Sequence, residues 1–177
     1  MAPLPARYRS AVKTARGLPI RVTAIEREFG TAYTADTLCM LRRRYPERDF
    51  VWLMGADNLQ QFHLWRHWRK IARTVPIAVI GRPGYDGGAR AARAMGWLRR
   101  FVRPAGQARR WTEWNLPALV LLQTPPDPTS ATGIRAAEPD WHAKLARSFN
   151  PPALRDGVTR RPITSRRHIA RTHTRSC

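Results

Sequence analysis

The chain has 177 residues, of which 43% are hydrophobic, and it carries a formal net charge of +20. This length allows one domain with a buried core, and no apolar run approaches the ~18 residues that a membrane-spanning helix needs. We therefore expect no membrane association. The only two cysteines are Cys39 and Cys177, so the sequence predicts neither a disulfide framework nor a metal site and indicates a cytoplasmic protein.

The net charge by itself would favour nucleic-acid binding, but its distribution argues against that partner. From position 144 to the end, nine Lys and Arg residues accompany a single acid, Asp156, in a segment with little apolar periodicity. We interpret residues 141–177 as a basic tail and expect it to be disordered. Lysine occurs only three times in the chain, which indicates a compositional bias towards arginine. A basic nucleic-acid-binding protein is the alternative from a different functional class.

In chain order, the first predicted elements are a helix, a strand and a second helix. Residues 5–16 form a helical pattern that Gly17 closes. Residues 20–25 alternate between apolar and polar, which predicts a strand. Thr34 is expected to cap a helix that runs to about position 44 and stops before Pro46.

The central predicted strand is followed directly by a polar turn. Residues 50–54 are consecutively apolar, which is typical of a strand buried on both faces of a sheet. Gly55 ends the run, Asp57 follows, and Asn58 is a good N-cap for the next helix. Ligands bind at the carboxyl ends of strands in open parallel sheets, where a carboxylate such as Asp57 suits a ribose hydroxyl pair near a phosphate. Simple capping of the helix by Asp57 is an equally weighted alternative.

The remaining elements complete an alternation of strands and helices. Residues 75–80 and 118–122 are further apolar runs that predict buried strands, and residues 89–101 can form a basic helix. This alternation predicts an α/β domain with a parallel sheet. Three aromatic residues crowd the helix after Asn58; two are assigned to the core, and one is left to stack on a flat ring: Phe62, Trp65 and Trp68.

Hydroxyl and guanidinium groups follow the last predicted strand. Ser130, Thr132 and Arg135 lie at the start of a predicted helix, where two hydroxyls, free amides and a cation suit a polyphosphate. Ordinary helix capping with a solvated arginine is the common alternative for so short a pattern. Arg82 lies in a turn after a strand, where it can meet a phosphate or face solvent.

Four segments, in this order and spacing, resemble the nicotinate-mononucleotide adenylyltransferases: Tyr33-Thr-Ala-Asp-Thr-Leu38, Gly55-Ala-Asp-Asn58 with Phe62, Trp65 and Trp68, Arg82-Pro-Gly-Tyr85, and Ser130-Ala-Thr-Gly-Ile-Arg135. The resemblance implies a Rossmann-like nucleotidyltransferase domain over residues 1–140. It also implies that ATP and nicotinate mononucleotide react, with magnesium, to give nicotinate adenine dinucleotide and pyrophosphate in NAD biosynthesis.

The resemblance also implies roles for individual residues. The pyridine ring would be flanked by Trp65, and the ribose would meet Asp57. The residues expected to contact the nicotinate nucleotide are Tyr33, Thr34, Thr37, Asp57, Trp65 and Arg82. The residues expected to contact ATP are Gly55, Asp57, Ser130, Thr132 and Arg135.

The opening motif of that family has no counterpart in this sequence. The family begins with a strand that leads into a Gly-Gly-x-Phe-x-Pro-x-His-x-Gly-His segment, whereas the first histidine here is His63. We therefore assign no catalytic residue and expect the fold to lack its first strand and helix. We also expect these 177 residues alone to fold poorly and turn over little, because a central strand would lose its neighbour. A nucleotide-binding remnant without turnover is the alternative that follows, and the sequence leaves the oligomeric state open.

Overall fold

A computed structural model of the chain describes residues 2–81, 86–123 and 141–142. Residues 31–129 form one compact unit, and the described residues 2–30 belong to another. In the part of the chain that is described, no helix is both long and apolar enough to cross a membrane. The predicted tail, residues 141–177, lies outside the described residues except for its first two positions, so its disorder stays a prediction.

The amino-terminal unit contains two described helices, α1 (Leu4–Thr14) and α2 (Ile25–Phe29). Helix α1 confirms the predicted first helix, and Pro5 lies in its first turn, where a missing N–H costs nothing. The predicted strand over residues 20–25 is wrong, because Ile25 begins α2 and the preceding residues have no regular structure. Alternation alone does not make a strand, since a strand also needs a neighbour that satisfies its backbone hydrogen bonds.

The larger unit is built on a parallel sheet of four described strands in the order β1-β2-β4-β3. These strands are β1 (Trp52–Gly55), β2 (Ile77–Ile80), β3 (Val102–Arg103) and β4 (Leu119–Leu122). The predicted α/β fold with a parallel sheet is therefore confirmed. The apolar runs at residues 75–80 and 118–122 contain β2 and β4, as the sequence predicts.

Strand β1 differs from its prediction. It begins at Trp52 rather than Phe50, and Leu53 is 57% exposed instead of buried on both faces. The cause is the position of β1 at the end of the sheet, where it pairs only with β2 among the described strands. An end strand has one side of its backbone without a partner and is less covered than a central strand.

Helices of the larger unit pack around this sheet. They are α3 (Thr34–Arg44), α4 (Ala56–Gln61), α5 (Trp68–Thr74), α6 (Asp86–Arg90) and α7 (Met95–Leu98). Helices α3 and α5 are joined by a hydrogen bond of 3.3 Å from Arg42 Nη1 to the Thr74 carbonyl. The core between helices and sheet is wholly apolar at its centre, with fully buried side chains that include Leu59, Phe62, Ile71, Ile77 and Leu119.

Three predicted helix features are wrong in detail. Helix α3 begins at Thr34, but Tyr33 is its N-cap residue and no side chain caps it. Helix α4 starts at Ala56 directly after the strand, so Asn58 lies inside the helix and Gly55 occupies the cap position. The basic helix predicted over residues 89–101 is divided among α6, α7 and a 3-10 turn, because packing against the sheet requires changes of direction that periodicity does not reveal.

Candidate functional site

The carboxyl ends of three adjacent strands are aligned in one row. Gly55 of β1 is opposite Ile80 of β2, and Ile80 is opposite Leu122 of β4. The row continues past the strand ends, because the Gly81 N–H donates a 2.8 Å hydrogen bond to the Leu122 carbonyl. This is the edge of a parallel sheet at which ligands bind in open α/β folds.

A small cleft, with a volume of about 30 Å³, lies along this edge. Its walls are mostly apolar or backbone, and its lining includes Ala56, Gly81, Ala89, Leu122 and Gln123. Arg90, at the end of α6, is the one charged residue among the described residues that line it. No carboxylate among the described residues pairs with this guanidinium, so its charge is available to an anion in the cleft.

Gly55 and Asp57 lie where the sequence predicts them, at the start of this edge. Gly55 is the last residue of β1 and has an extended conformation, with φ −77° and ψ 159°, and the chain turns straight into α4. Asp57 lies in the first turn of that helix, one residue after Ala56 of the cleft lining. The strand-to-helix junction thus brings a short backbone turn and a carboxylate to the carboxyl edge of the sheet.

The two threonines predicted to contact the nicotinate nucleotide, Thr34 and Thr37, lie in different surroundings in α3. Thr37 is only 5% exposed, and its hydroxyl donates a 3.3 Å hydrogen bond to the Tyr33 carbonyl. Its oxygen is also 2.7 Å from the Thr31 hydroxyl oxygen, in a hydrogen bond for which either hydroxyl can be the donor. Thr37 therefore ties Thr31 to Tyr33 and shapes the loop, whereas Thr34 is the first residue of the helix.

Arg66, the residue after Trp65, contacts Tyr33, and the sequence did not predict this contact. The Arg66 guanidinium lies over the Tyr33 ring, with Cζ 4.4 Å from the ring centroid. Tyr33 is 44% exposed, so this pair lies at the surface. Within the described chain, Arg66 has no carboxylate partner, and its Nε donates to His67 Nε2 at 3.3 Å. A cation held beside an aromatic ring is a suitable environment for a flat anion.

Trp65 is partly buried and has a defined orientation. Its ring makes edge contacts with Phe62 at 5.6 Å and with Trp52 of β1 at 6.0 Å between centroids. It lies in a break between a 3-10 turn and α5, where His67 has the left-handed φ of 54°. Phe62 is fully buried, whereas Trp65 and Trp68 are both partly buried against the core, so one of the three aromatics lies wholly in the core rather than the two that the sequence predicts.

Some predicted site residues cannot be located. Arg82, Ser130, Thr132 and Arg135 lie outside the described residues. Their predicted contacts with phosphate therefore stay predictions.

Two arginines that the sequence did not single out lie beside the candidate site, Arg66 over the Tyr33 ring and Arg90 in the cleft lining. The signal for Arg66 was its position directly after Trp65, and the signal for Arg90 was its place at the start of a basic segment that follows a strand. In a chain with 32 Lys and Arg residues, neither signal separates a functional guanidinium from a solvated one. As for metal ligands, no cluster of three or more His, Cys, Asp or Glu side chains occurs within residues 2–81, 86–123 and 141–142.

Comparison with known proteins gives a consistent set of relatives. A family model described as cytidylyltransferase-like matches residues 6–137. A probable nicotinate-nucleotide adenylyltransferase of Erythrobacter litoralis is 54% identical over 167 residues, which cover 94% of this chain and 74% of the relative. Proteins with the same name from Cereibacter sphaeroides and Parvibaculum lavamentivorans are 43% and 47% identical, each over 76% of this chain and over 71% and 67% of the relative. A match of 167 residues extends beyond residues 1–140, so similarity to the first relative includes part of the basic tail.

Proposed function

Because the chain belongs to the cytidylyltransferase-like family, and within it to the nicotinate-nucleotide adenylyltransferases, we propose that it transfers the adenylyl group of ATP to nicotinate mononucleotide in NAD biosynthesis. The observation that carries the proposal is the high identity to the Erythrobacter relative over almost the whole chain. A phosphate oxygen of nicotinate mononucleotide attacks the α-phosphorus of ATP. The bond from that phosphorus to the bridging oxygen breaks, and the products are nicotinate adenine dinucleotide and pyrophosphate.

The nicotinate nucleotide binds, in this proposal, at the Tyr33 and Trp65 side of the site. Trp65 flanks the pyridine ring, and Thr34 and the loop held by Thr37 border it. The contact between Arg66 and Tyr33 supports this placement, because a guanidinium without a carboxylate partner in the described chain complements the negative nicotinate. Nicotinate carries a carboxylate that nicotinamide lacks, so this cation favours the acid as acceptor.

ATP binds along the carboxyl edge of the sheet, with magnesium entering as part of the ATP complex. Gly55 allows close approach of the nucleotide, Asp57 accepts hydrogen bonds from a ribose, and Arg90 faces the phosphates. The position of Arg90 as the charged residue of the described cleft lining supports its role. Further phosphate contacts come from residues outside the described part of the chain: Arg82, Ser130, Thr132 and Arg135.

The chemistry requires positioning and charge neutralisation more than covalent help from the protein. Two phosphate-bearing substrates repel each other, and holding them in line lowers the entropic cost of attack. Guanidinium groups then neutralise charge on the departing pyrophosphate. The proposed location is the cytoplasm, and the proposed partners are these two small molecules rather than nucleic acid.

Transfer of label from ATP tests the proposal. The purified chain is incubated with magnesium, nicotinate mononucleotide and ATP labelled at either the α- or the γ-phosphorus. Adenylyl transfer places the α-label in the dinucleotide and the γ-label in pyrophosphate. Transfer of γ-label to the acceptor, or release of label that does not require nicotinate mononucleotide, would show a different reaction.

A further inference from the structure

A second cavity lies next to α5 and α7. It has a volume of about 620 Å³ and is lined by residues that include Arg69, Arg93, Arg100, Trp68 and Trp97. It shares no lining residue with the cleft at the carboxyl edge. The size falls within the roughly 300–1,000 Å³ that small-molecule sites occupy in proteins.

The cavity is strongly basic and lacks compensating acids. Three guanidinium groups line it, and no acidic residue is among its described lining residues. Neither Arg69 nor Arg93 pairs with a carboxylate in the described chain, and Arg100 donates only to the Trp97 carbonyl at 3.3 Å. Like charges gathered around one concave space repel one another unless an anion occupies it.

One lining guanidinium, that of Arg69, lies beside two aromatic rings. The Arg69 guanidinium lies 5.0 Å from the Trp68 ring centroid and 5.8 Å from that of Trp97. Arg73 adds a second guanidinium over Trp97 at 5.3 Å, and the two indoles meet edge to face at 5.4 Å. Stacking on indole orients a guanidinium while its N–H donors stay available for an oxyanion.

We propose that this cavity binds the phosphate chain of a small polyphosphorylated ligand, at a site additional to the adenylyl-transfer site. Arginine donors in a planar fork match phosphate oxygens in pairs, and a di- or triphosphate carries enough negative charge to neutralise three guanidinium groups. The concave shape favours a compact ligand over nucleic acid. The guanidinium groups stacked on the indoles also occupy the surfaces on which single-stranded bases would have to stack.

Gly96 allows the cavity to be altered without removing an arginine. It lines the cavity, and a Cβ added there would meet no atom within 4 Å. We compare Gly96→Glu with Gly96→Gln, which fills the same space without charge, using the full chain and inorganic tripolyphosphate in a calorimetric titration. Gly96→Glu is expected to bind roughly tenfold more weakly than Gly96→Gln, because it places a carboxylate among the guanidinium groups. Equal affinity in the two variants would overturn the proposal.

A pair of double variants separates a defined site from diffuse positive charge. Arg93→Gln/Arg100→Gln removes two lining cations, and Arg43→Gln/Arg44→Gln removes the same charge from the exposed face of α3. The first is expected to lose about 100-fold in tripolyphosphate affinity, and the second less than about threefold. Equal losses would show that binding follows net charge alone. Loss of single-stranded RNA binding without loss of tripolyphosphate binding would also overturn the proposal.

The source of the phosphate chain is identified by comparing ATP with tripolyphosphate. ATP also binds at the adenylyl-transfer site, so its total affinity is not informative. For each ligand we therefore compare the affinity of Gly96→Glu with that of Gly96→Gln and use the loss between the two variants. A larger loss for ATP identifies a nucleoside polyphosphate, and equal losses identify an inorganic polyphosphate. Both results support the cavity as a phosphate site, whereas no loss with either ligand would contradict it. The adenylyl-transfer rate is measured separately, so failure of one proposal does not imply failure of the other.

Discussion

Replacing Thr37 by valine tests whether the loop before α3 positions the acceptor nucleotide. The substitution keeps the shape of a side chain that is 5% exposed, and it removes the hydroxyl that joins Thr31 to the Tyr33 carbonyl at 2.7 and 3.3 Å. Net hydrogen-bond values of about 0.5–1.5 kcal/mol each predict a loss of about 1–2 kcal/mol in the free energy of unfolding. With the loop less constrained, the KM for nicotinate mononucleotide should rise roughly tenfold.

Thr74→Val is the matched control for this variant. Thr74 is also buried in a helix, and its hydroxyl donates at 2.8 Å to the carbonyl four residues earlier, but it lies at the end of α5. Urea denaturation should show a loss of about 1 kcal/mol for Thr74→Val, with the KM unchanged within about twofold. The reasoning is refuted if Thr37→Val loses stability as expected while its KM stays equal to that of the control.

Three further variants test other parts of the structure. Trp65→Ala should raise the KM for nicotinate mononucleotide roughly tenfold or more in steady-state kinetics. Trp65→Phe should raise the KM less, because a smaller ring still stacks. An equal rise of the KM in the two variants would exclude stacking. Arg90→Gln should raise the KM for ATP about fivefold, whereas Arg44→Gln should leave that KM unchanged. An equal rise of the KM in both variants would show only an effect of net charge. Leu53→Lys should change the free energy of unfolding in urea by less than about 0.5 kcal/mol, because the leucine on the end strand is already 57% exposed. A loss above about 1 kcal/mol would show that this side chain is covered in the folded protein.

The parts of the fold that sequence could predict are those where burial dictates composition. Ile77–Ile80 and Leu119–Leu122 pair with neighbours on both sides, and strands of that kind appear as uninterrupted apolar runs. The helix at Thr34–Arg44 ends before a proline, which cannot continue a helix interior. In each case a local physical requirement leaves a direct mark on the sequence.

The parts that sequence could not predict depend on distant neighbours. Residues 20–25 have strand-like alternation, but a strand forms only where another chain segment accepts its hydrogen bonds. The aromatic spacing from Phe62 to Trp68 fits one helix, yet the structure interrupts it around Trp65, and His67 takes a left-handed conformation at the break. Tertiary packing overrides a periodic pattern when the two disagree.

The same limit applies to the candidate site. The position of Gly55 and Asp57 was predictable, because a strand end followed by a turn marks the carboxyl edge of a parallel sheet. The surroundings of Arg66 and Arg90 were not, since other elements supply the Tyr33 ring and the cleft beside them. The burial of Thr37 and its hydrogen bonds to the preceding loop also left no mark on the sequence.

Pyrophosphate release by the purified 177-residue chain with ATP and magnesium, compared across acceptors, tests adenylyl transfer to the nicotinate nucleotide. We expect release that requires nicotinate mononucleotide and is roughly tenfold slower with nicotinamide mononucleotide, whatever the absolute rate. A folded chain that releases pyrophosphate equally with and without nicotinate mononucleotide, or that prefers the amide, would contradict the proposed function.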